Sequence, residues 1–555
     1  MIGEETLMND KKIAVIAQCE ANGISAIRPY LDAIDVPQGY AVELIEVPSG
    51  GSVADTYQRA MEQSDAKYKV YLSPGSILLR LNFFEEMLRI FTQDPAIGII
   101  GLIGAKQLST SGVLVQSMFI KGRLVFSDDT GFFGEDIEGD MEDVMAVSGD
   151  LVATQYDIPW RRDLFHTDCF WAEAQCIEFR RVGYRTVVPQ QEAAWLLAGA
   201  KEISYDEASR NVFLDTYSKD IYPLVSIVIP TFERPHYFRL ALESVLAQTY
   251  RNLDIFITDN SHNTETADMM RRDFSDDPRI HYEHHPSYGE AENWKCARSY
   301  DNPNAPYVNW LMDDDLFMPD KIAVMMDAFF AHPDLSLVTS YRECIDADGN
   351  KLPDLPVTSP IAQEVTKFSG ELIGEYILVY QGNIIGEPST VLIKKLFLLN
   401  GHDLGFSGKE GKYLISDFPT WLRLLSQGPM VYFPTPLSKF RIHEGNEQLQ
   451  YKCHAGAIIC WALTIREAIE RDMYIHDLKT RRAVIIGWLR LAGNALFLAR
   501  MTPELWETPE FQDLLCVFAA MADALRKDCR IDFDLDTTLR LKMDSGDGTM
   551  IEIPY

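Results

Sequence analysis

From about residue 11 the chain alternates between short apolar runs of strand length and longer stretches with apolar residues at helical spacing. Lys12–Ala17, Tyr40–Val47, Tyr68–Leu72 and Ile97–Ile103 read as strands, with helical patterns at Ile24–Ile34, Ser52–Gln63 and Asn82–Thr92 between them. Such alternation builds βαβ units on a largely parallel sheet. Residues 106–205 give mixed signals, and Tyr205–Tyr222 reads as a polar connector. The alternation then begins again. Leu224–Pro230, Leu253–Asp259, Arg279–Glu283, Tyr307–Leu311 and Leu335–Ser340 are strand-like, and Tyr237–Ala247, Thr264–Phe274, Gly289–Tyr300 and Pro319–Ala331 are helical. From Tyr451 strand signals stop, and three long helical runs follow: Ala455–Arg471, Leu478–Arg500 and Pro509–Arg526.

Laying Tyr68–Leu72 on Tyr307–Leu311 brings Asp94-Pro95 within one residue of His332-Pro333, so the two alternating stretches read as two copies of one architecture. The expected organisation is α/β throughout: two tandem Rossmann-like domains with mostly parallel sheets at residues 1–222 and 223–445. A helical C-terminal region, 446–555, follows and is a candidate for docking or homo-oligomer formation.

Composition narrows the partners. With 47% hydrophobic and 24% charged residues the chain is globular, but its formal charge of −31 argues against nucleic acid, whose backbone needs a basic surface. An anionic membrane is an unlikely partner for the whole molecule, though a local basic patch could hide in the total. The first residues carry no secretory pattern, and Ala483–Arg500, the most apolar run, is interrupted by Arg490 and Asn494. A cytoplasmic protein with no transmembrane span, at most peripheral to the inner face of a membrane, is expected. The 9 cysteines form no Cys-x-x-Cys pair and read as reduced core thiols.

The candidate chemistry lies at strand ends of the second copy, where open α/β sheets place ligands. Asp313, Asp314 and Asp315 follow a buried-type strand and make sense together with Mn²⁺ or Mg²⁺ and a diphosphate. A bare Asp-Asp-Asp is otherwise an ordinary solvated turn. Asp259 closes another strand, suited to an Asx-turn or to a nucleotide base, and Thr231 ends the first strand of the unit. Asp417, with Ser416 ahead of Pro419, has a helix-start signature and is also a candidate general base. Arg441 and His443 alternate along one extended face, suggesting phosphate contact. At the matching place in the first copy, Pro74-Gly75-Ser76 offers no carboxylate.

Val228–Arg234, Ser244–Tyr250, Thr258–Ser261, Leu311–Asp315 and Arg441–His443, in that order, resemble a family 2 glycosyltransferase of the GT-A fold over residues 223–445. The resemblance implies that Asp259 contacts the base, with Thr231, Glu233, Asp313 and Asp314 also on the nucleotide. It implies metal at Asp313, Asp315 and His443, Arg441 at the diphosphate, and Asp417 as catalytic base. Glu233 departs from the family, where Asn is common.

The first copy, through Gly149–Gln155 and Ile158–Arg161, resembles the glycosyltransferase-like domain of streptomycin-biosynthesis-type proteins. It lacks that family's Asp near Pro74-Gly75 and its late His, where Leu197-Ala198-Gly199 stands, so a pseudo-enzyme domain is expected. The implied function is inverting, metal-dependent transfer of a sugar from a nucleotide-diphosphate donor, UDP favoured, to a hydroxyl on a glycan, glycolipid or protein. The rivals are a sugar nucleotidyltransferase, against which Pro230–Pro235 lacks a phosphate-cradling glycine, and a non-catalytic sugar or nucleotide scaffold.

Overall fold

The computed structural model describes residues 8–19, 27–49, 51–127, 132–199, 205–399, 417–443, 451–532, 543–544 and 550–551. It divides into two compact units, 1–223 with 250–252, and 224–249 with 253–555.

In the first unit the sheet order is Ala41–Pro48, Asn9–Cys19, Ala66–Leu72, Leu151–Thr154, Ile97–Gly101, Arg185–Pro189 and, at the edge, Met141–Val144. The three strands around Asn9–Cys19 are parallel, whereas Leu151–Thr154 runs antiparallel to both its neighbours. Helices Val53–Gln63 and Phe83–Gln93 form because their apolar residues recur on one face, and Ser52 caps the first by accepting from Asp55 N. Ile13, Val15, Val70, Phe83, Met87 and Ile100 share the buried core.

Two expectations need correction. Of the helical stretch Ile24–Ile34, the described part holds only Arg28–Leu31 as helix, and Ile24–Ala26 lie outside the described residues. The polar connector Tyr205–Tyr222 is instead the helix Glu207–Ile221, capped by Asp206, which accepts from Ser209 N at 2.8 Å. Its buried residues Phe213, Leu214, Tyr217 and Ile221 recur at helical spacing among polar ones, a stripe too narrow to stand out from the polar composition of the segment.

The second unit repeats the order: Leu253–Asp259, Val225–Thr231, Tyr307–Trp310, Leu392–Lys394, Leu337–Ile345 and Met430–Arg441, with Ile280–His284 added outside Leu253–Asp259. Leu392–Lys394 is again the antiparallel insertion, and Thr366–Phe368 pairs antiparallel with the far strand as Met141–Val144 does in the first unit. The correspondence extends to the strand ends. Ile77–Leu78 pairs antiparallel with Leu196–Ala198, and Leu316–Phe317 pairs antiparallel with Met430–Arg441.

Helices Tyr451–Glu470, Leu478–Arg500 and Pro509–Ala524 belong to the second unit and share its core. Trp461, Trp488 and Val517 lie in one buried cluster with Val228, Val308, Ile377 and Trp421. Phe418 stacks on Trp461 at 4.0 Å between ring centroids, and Trp488 Nε1 donates to Ile458 O at 2.8 Å. The helical runs are therefore bonded into the domain that precedes them.

Candidate active site

The strand Tyr307–Trp310 delivers Asp313, Asp314 and Asp315 into a turn where they are only 5, 7 and 1% exposed, so the acidic tripeptide is not a solvated turn. Each carboxylate has its own partners. Thr231 Oγ1 donates to Asp313 Oδ2 at 2.9 Å and Phe232 N to the same oxygen at 3.3 Å. Ser389 Oγ donates to Asp315 Oδ2 at 2.6 Å, and Arg441 N to Asp315 Oδ1 at 3.0 Å. Asp314 Oδ2 lies 3.0 Å from His443 Nε2. Arg234 Nη1 bridges Asp313 Oδ1 and Asp314 Oδ2, at 3.4 and 3.3 Å.

Burial first, and then the neighbouring Asp314 charge, push Asp313 and Asp315 above the usual carboxylate range. Crowded, desolvated carboxylates are stabilised by a cation, and hard oxygens with one imidazole suit Mg²⁺ or Mn²⁺. The donor chemistry of Asp313, Asp314, Asp315 and His443 suits such an ion, although their ligand atoms do not converge as those of Glu283, His285 and Cys296 do.

Asp259 is fully buried, with Oδ1 accepting from Ser261 N at 2.8 Å and Oδ2 from the Tyr282 hydroxyl at 2.6 Å. It makes the Asx-turn that its sequence suggests. Glu233 has φ +50, a left-handed conformation that Asn adopts more readily than Glu, which gives a physical reason for the family's Asn at this position. Its N–H donates to Ser261 Oγ at 2.7 Å, and its carboxylate is 3.0 Å from His262 Nδ1.

Asp417 opens the helix Asp417–Leu425, while Ser416 lies outside the described residues. Its Oδ2 accepts from Asn383 Nδ2 at 2.9 Å and its Oδ1 from Phe418 N at 2.7 Å. Burial pushes this carboxyl up to about 6, with the Glu387 charge adding to the rise.

Arg441, expected at the diphosphate, is 1% exposed and turned to another use. Its Nε donates to Asp314 O at 2.8 Å, its Nη1 to Asp346 O and Ala347 O at 3.0 and 2.9 Å, and its guanidinium lies over the Tyr237 ring. It braces the acidic turn from behind, because a buried guanidinium must satisfy its donors and carbonyl oxygens supply the acceptors. The more accessible guanidinium is Arg234, its side chain 34% exposed.

The loop Asn383–Thr390 is the part that sequence reasoning missed. Asn383 holds Asp417, Ser389 holds Asp315, and Trp421 Nε1 donates to Gly386 O at 2.9 Å. Glu387, between these anchors, pairs with the buried Arg342 at 2.6 Å, and its charge raises both Asp315 and Asp417. The loop thus links the acidic turn to the candidate base. The run Gly386-Glu387-Pro388-Ser389-Thr390 just ahead of Leu392–Lys394 was the available signal, since polar residues at a strand entry facing a ligand crevice merit attention.

Two α/β sheets share one strand order, and the second gathers carboxylates at its strand ends. Residues 226–378 match the model of glycosyl transferase family 2, and residues 14–217 match that of a glycosyltransferase-like family. The chain carries a family 2 glycosyltransferase domain with a glycosyltransferase-like domain ahead of it. An uncharacterized glycosyltransferase of Rickettsia conorii is 25% identical over 286 residues, 51% of this chain and 43% of the relative, so the chain spans under half of that relative's length. The GalNAc(5)-diNAcBac-PP-undecaprenol beta-1,3-glucosyltransferase of Campylobacter jejuni is 26% identical over 166 residues, 28% of this chain and 52% of that protein. Among solved structures, S. aureus TarS 1-349 in complex with UDP-GlcNAc aligns with a TM-score of 0.31 at 12% identity, covering 60% of this chain and 99% of that one.

Proposed function

We propose that the chain is an inverting, metal-dependent glycosyltransferase that moves a sugar from a nucleotide-diphosphate donor, UDP-sugar favoured, to a hydroxyl acceptor. The observation that carries this reading is the pairing of the buried acidic turn with Asp417 through the Asn383–Thr390 loop. Asp313 and Asp315, with His443 through Asp314, would hold Mg²⁺ or Mn²⁺ against the donor diphosphate. The ion supplies Lewis-acid stabilisation of the leaving group.

The chain's own residues supply the remainder. Asp417 takes the acceptor proton as the acceptor oxygen bonds to the anomeric carbon from the face opposite the diphosphate. The bond from that carbon to the phosphate oxygen breaks with its electron pair on the diphosphate, and the configuration inverts. A carboxyl raised to about 6 is deprotonated at neutral pH yet more basic than an ordinary aspartate, as a general base should be. Arg234, paired with Asp313 and Asp314, would face the diphosphate, while Asn383 donates to Asp417 and would fix its orientation. Asp259 and Glu233 shape the turn Asp259–His262, against which the base would lie.

Of the acceptor classes, a lipid-linked glycan is favoured by the Campylobacter relative, whose name states an undecaprenol-linked one. For the first unit we propose a non-catalytic role, supported by the lack of any carboxylate at Pro74-Gly75-Ser76. A screen of UDP-, GDP- and dTDP-sugars with the full chain, alongside Asp315→Ala and Asp417→Asn, tests the whole reading. Turnover unchanged in both variants overturns it, and formation of a sugar nucleotide from a nucleoside triphosphate and a sugar phosphate would replace it with the nucleotidyltransferase.

A further inference from the structure

The helix Leu478–Arg500 has two faces of different chemistry. Val484, Ile485, Trp488, Ala492, Leu496 and Ala499 are buried against the second unit's core. On the opposite side, at spacings of four and seven residues, Lys479, Ile486, Arg490, Phe497 and Met501 form one outward stripe. All five are exposed, Ile486 to 41%, Phe497 to 67% and Met501 to 70%. Leu491 and Leu498 flank it, exposed to 38% and 60%.

Charge separates this helix from the rest of the chain. In a protein of formal charge −31 it carries Lys479, Arg481, Arg482, Arg490 and Arg500 and no Asp or Glu. Arg481 is neutralised by Asp472 and Arg482 lies 3.9 Å from Asp528, whereas Lys479, Arg490 and Arg500 make no ion pair among the described residues. The helix Gly370–Tyr380 packs beside it, with Gln381 Nε2 donating to Val484 O at 2.9 Å, and carries exposed Leu372, Tyr376 and Tyr380.

We infer that the outward face of Leu478–Arg500 is a docking surface for an anionic lipid bilayer, on which the protein rests with this helix in the plane of the headgroups. Unpaired basic groups alternating with large apolar side chains match that interface: the charges meet anionic headgroups while Phe497, Met501 and Ile486 leave water. Exposed tyrosines on the adjoining helix suit the headgroup level. By length and apolar composition alone the helix could span a membrane, but its inner face, with Trp488 bonded to Ile458 O, is already part of the protein core. It therefore lies on the bilayer and does not cross it. This surface also locates the local basic patch that the total charge conceals.

The test is vesicle flotation of the full chain with phosphatidylcholine alone and with about one third phosphatidylglycerol added. The expected result is flotation with the anionic vesicles only, weakened by salt. It should fall about tenfold in Lys479→Glu/Arg490→Glu and in Phe497→Ser/Met501→Ser, with circular dichroism unchanged. Absence of flotation with either vesicle, or variants that float like the wild type, overturns the inference. So does resistance to alkaline carbonate, which would indicate a span. A dimer in light scattering that Phe497→Ser/Met501→Ser dissociates would give the surface to a second copy of the chain. Because the readout is binding, it stands or falls apart from sugar transfer.

Discussion

The ends of two matching strands, Ala66–Leu72 in the first unit and Tyr307–Trp310 in the second, meet the same topology and hold opposite chemistry. After Tyr307–Trp310 come three buried carboxylates clasped by Thr231, Arg234, Ser389, Arg441 and His443. After Ala66–Leu72 comes a turn closed on itself: Ser76 N donates to Ser73 O at 3.2 Å and Ser73 N to Asp150 O at 3.3 Å. Gly75 takes φ +75, and a Cβ there would sit 3.4 Å from Gly199 Cα, so the late strand lies directly over the turn. By the strand-end pairing Leu197 stands where the second unit has Lys439, so Gly199, with no side chain, takes the place of Arg441, and the counterpart of His443 lies outside the described residues. The lesson is that two units can share a strand order while their strand ends differ in chemistry, because the core carries the fold and strand-end side chains do not.

The sharpest break of this comparison is Asp315→Ala. On the proposed reading donor hydrolysis and transfer are expected to fall by about a thousandfold, since an ion held there would stabilise the leaving group by several kcal/mol. Calorimetry with UDP and Mn²⁺ should lose its metal-linked component, and residual metal-linked binding would reveal a second site in the first unit.

Next in size, Asp417→Asn should lower kcat by about a hundredfold or more while nucleotide binding persists, which calorimetry checks. The same carboxyl sets a pH limb. With its value raised to about 6, kcat/KM should fall below that pH as the base is protonated. The sign for stability is opposite. The native state binds this proton more tightly than the unfolded chain, so its contribution favours folding in acid and is lost as pH rises through about 6.

A smaller effect is expected for Asn383→Ala. Removing a donor to the carboxylate should move the pH limb upward and cost about tenfold in kcat, and a rate profile with an unmoved limb would deny Asn383 its positioning role.

The smallest effects belong to the first unit. Ser76→Ala should leave turnover within about twofold if that strand end does no chemistry. Gly75→Ala should lower thermal stability by about 1 kcal/mol, the cost of a left-handed non-glycine residue, again without touching the rate.

Much of this was legible along the chain. The two-copy register, the acidic turn at a strand end and the helix opened by Asp417 follow from periodicity and from polar residues at element ends, which are local properties. The helix Glu207–Ile221 was hidden because its apolar stripe is narrow and interrupted by polar runs.

What the sequence alone determined is therefore the α/β architecture and the carboxylates at its strand ends, since hydrophobic period and strand-end composition are written residue by residue. Which groups act together was decided only by the tertiary structure. Arg441 and Arg234 are alike as residues, but burial turned the first onto carbonyl oxygens and left the second at the carboxylates. Glu387 and Asn383 acquired their roles because a loop about thirty positions from Asp417 in one direction, and about seventy from Asp315 in the other, returns between them. Desolvation and proximity are properties of the folded neighbourhood, and no reading of neighbours along the chain contains them.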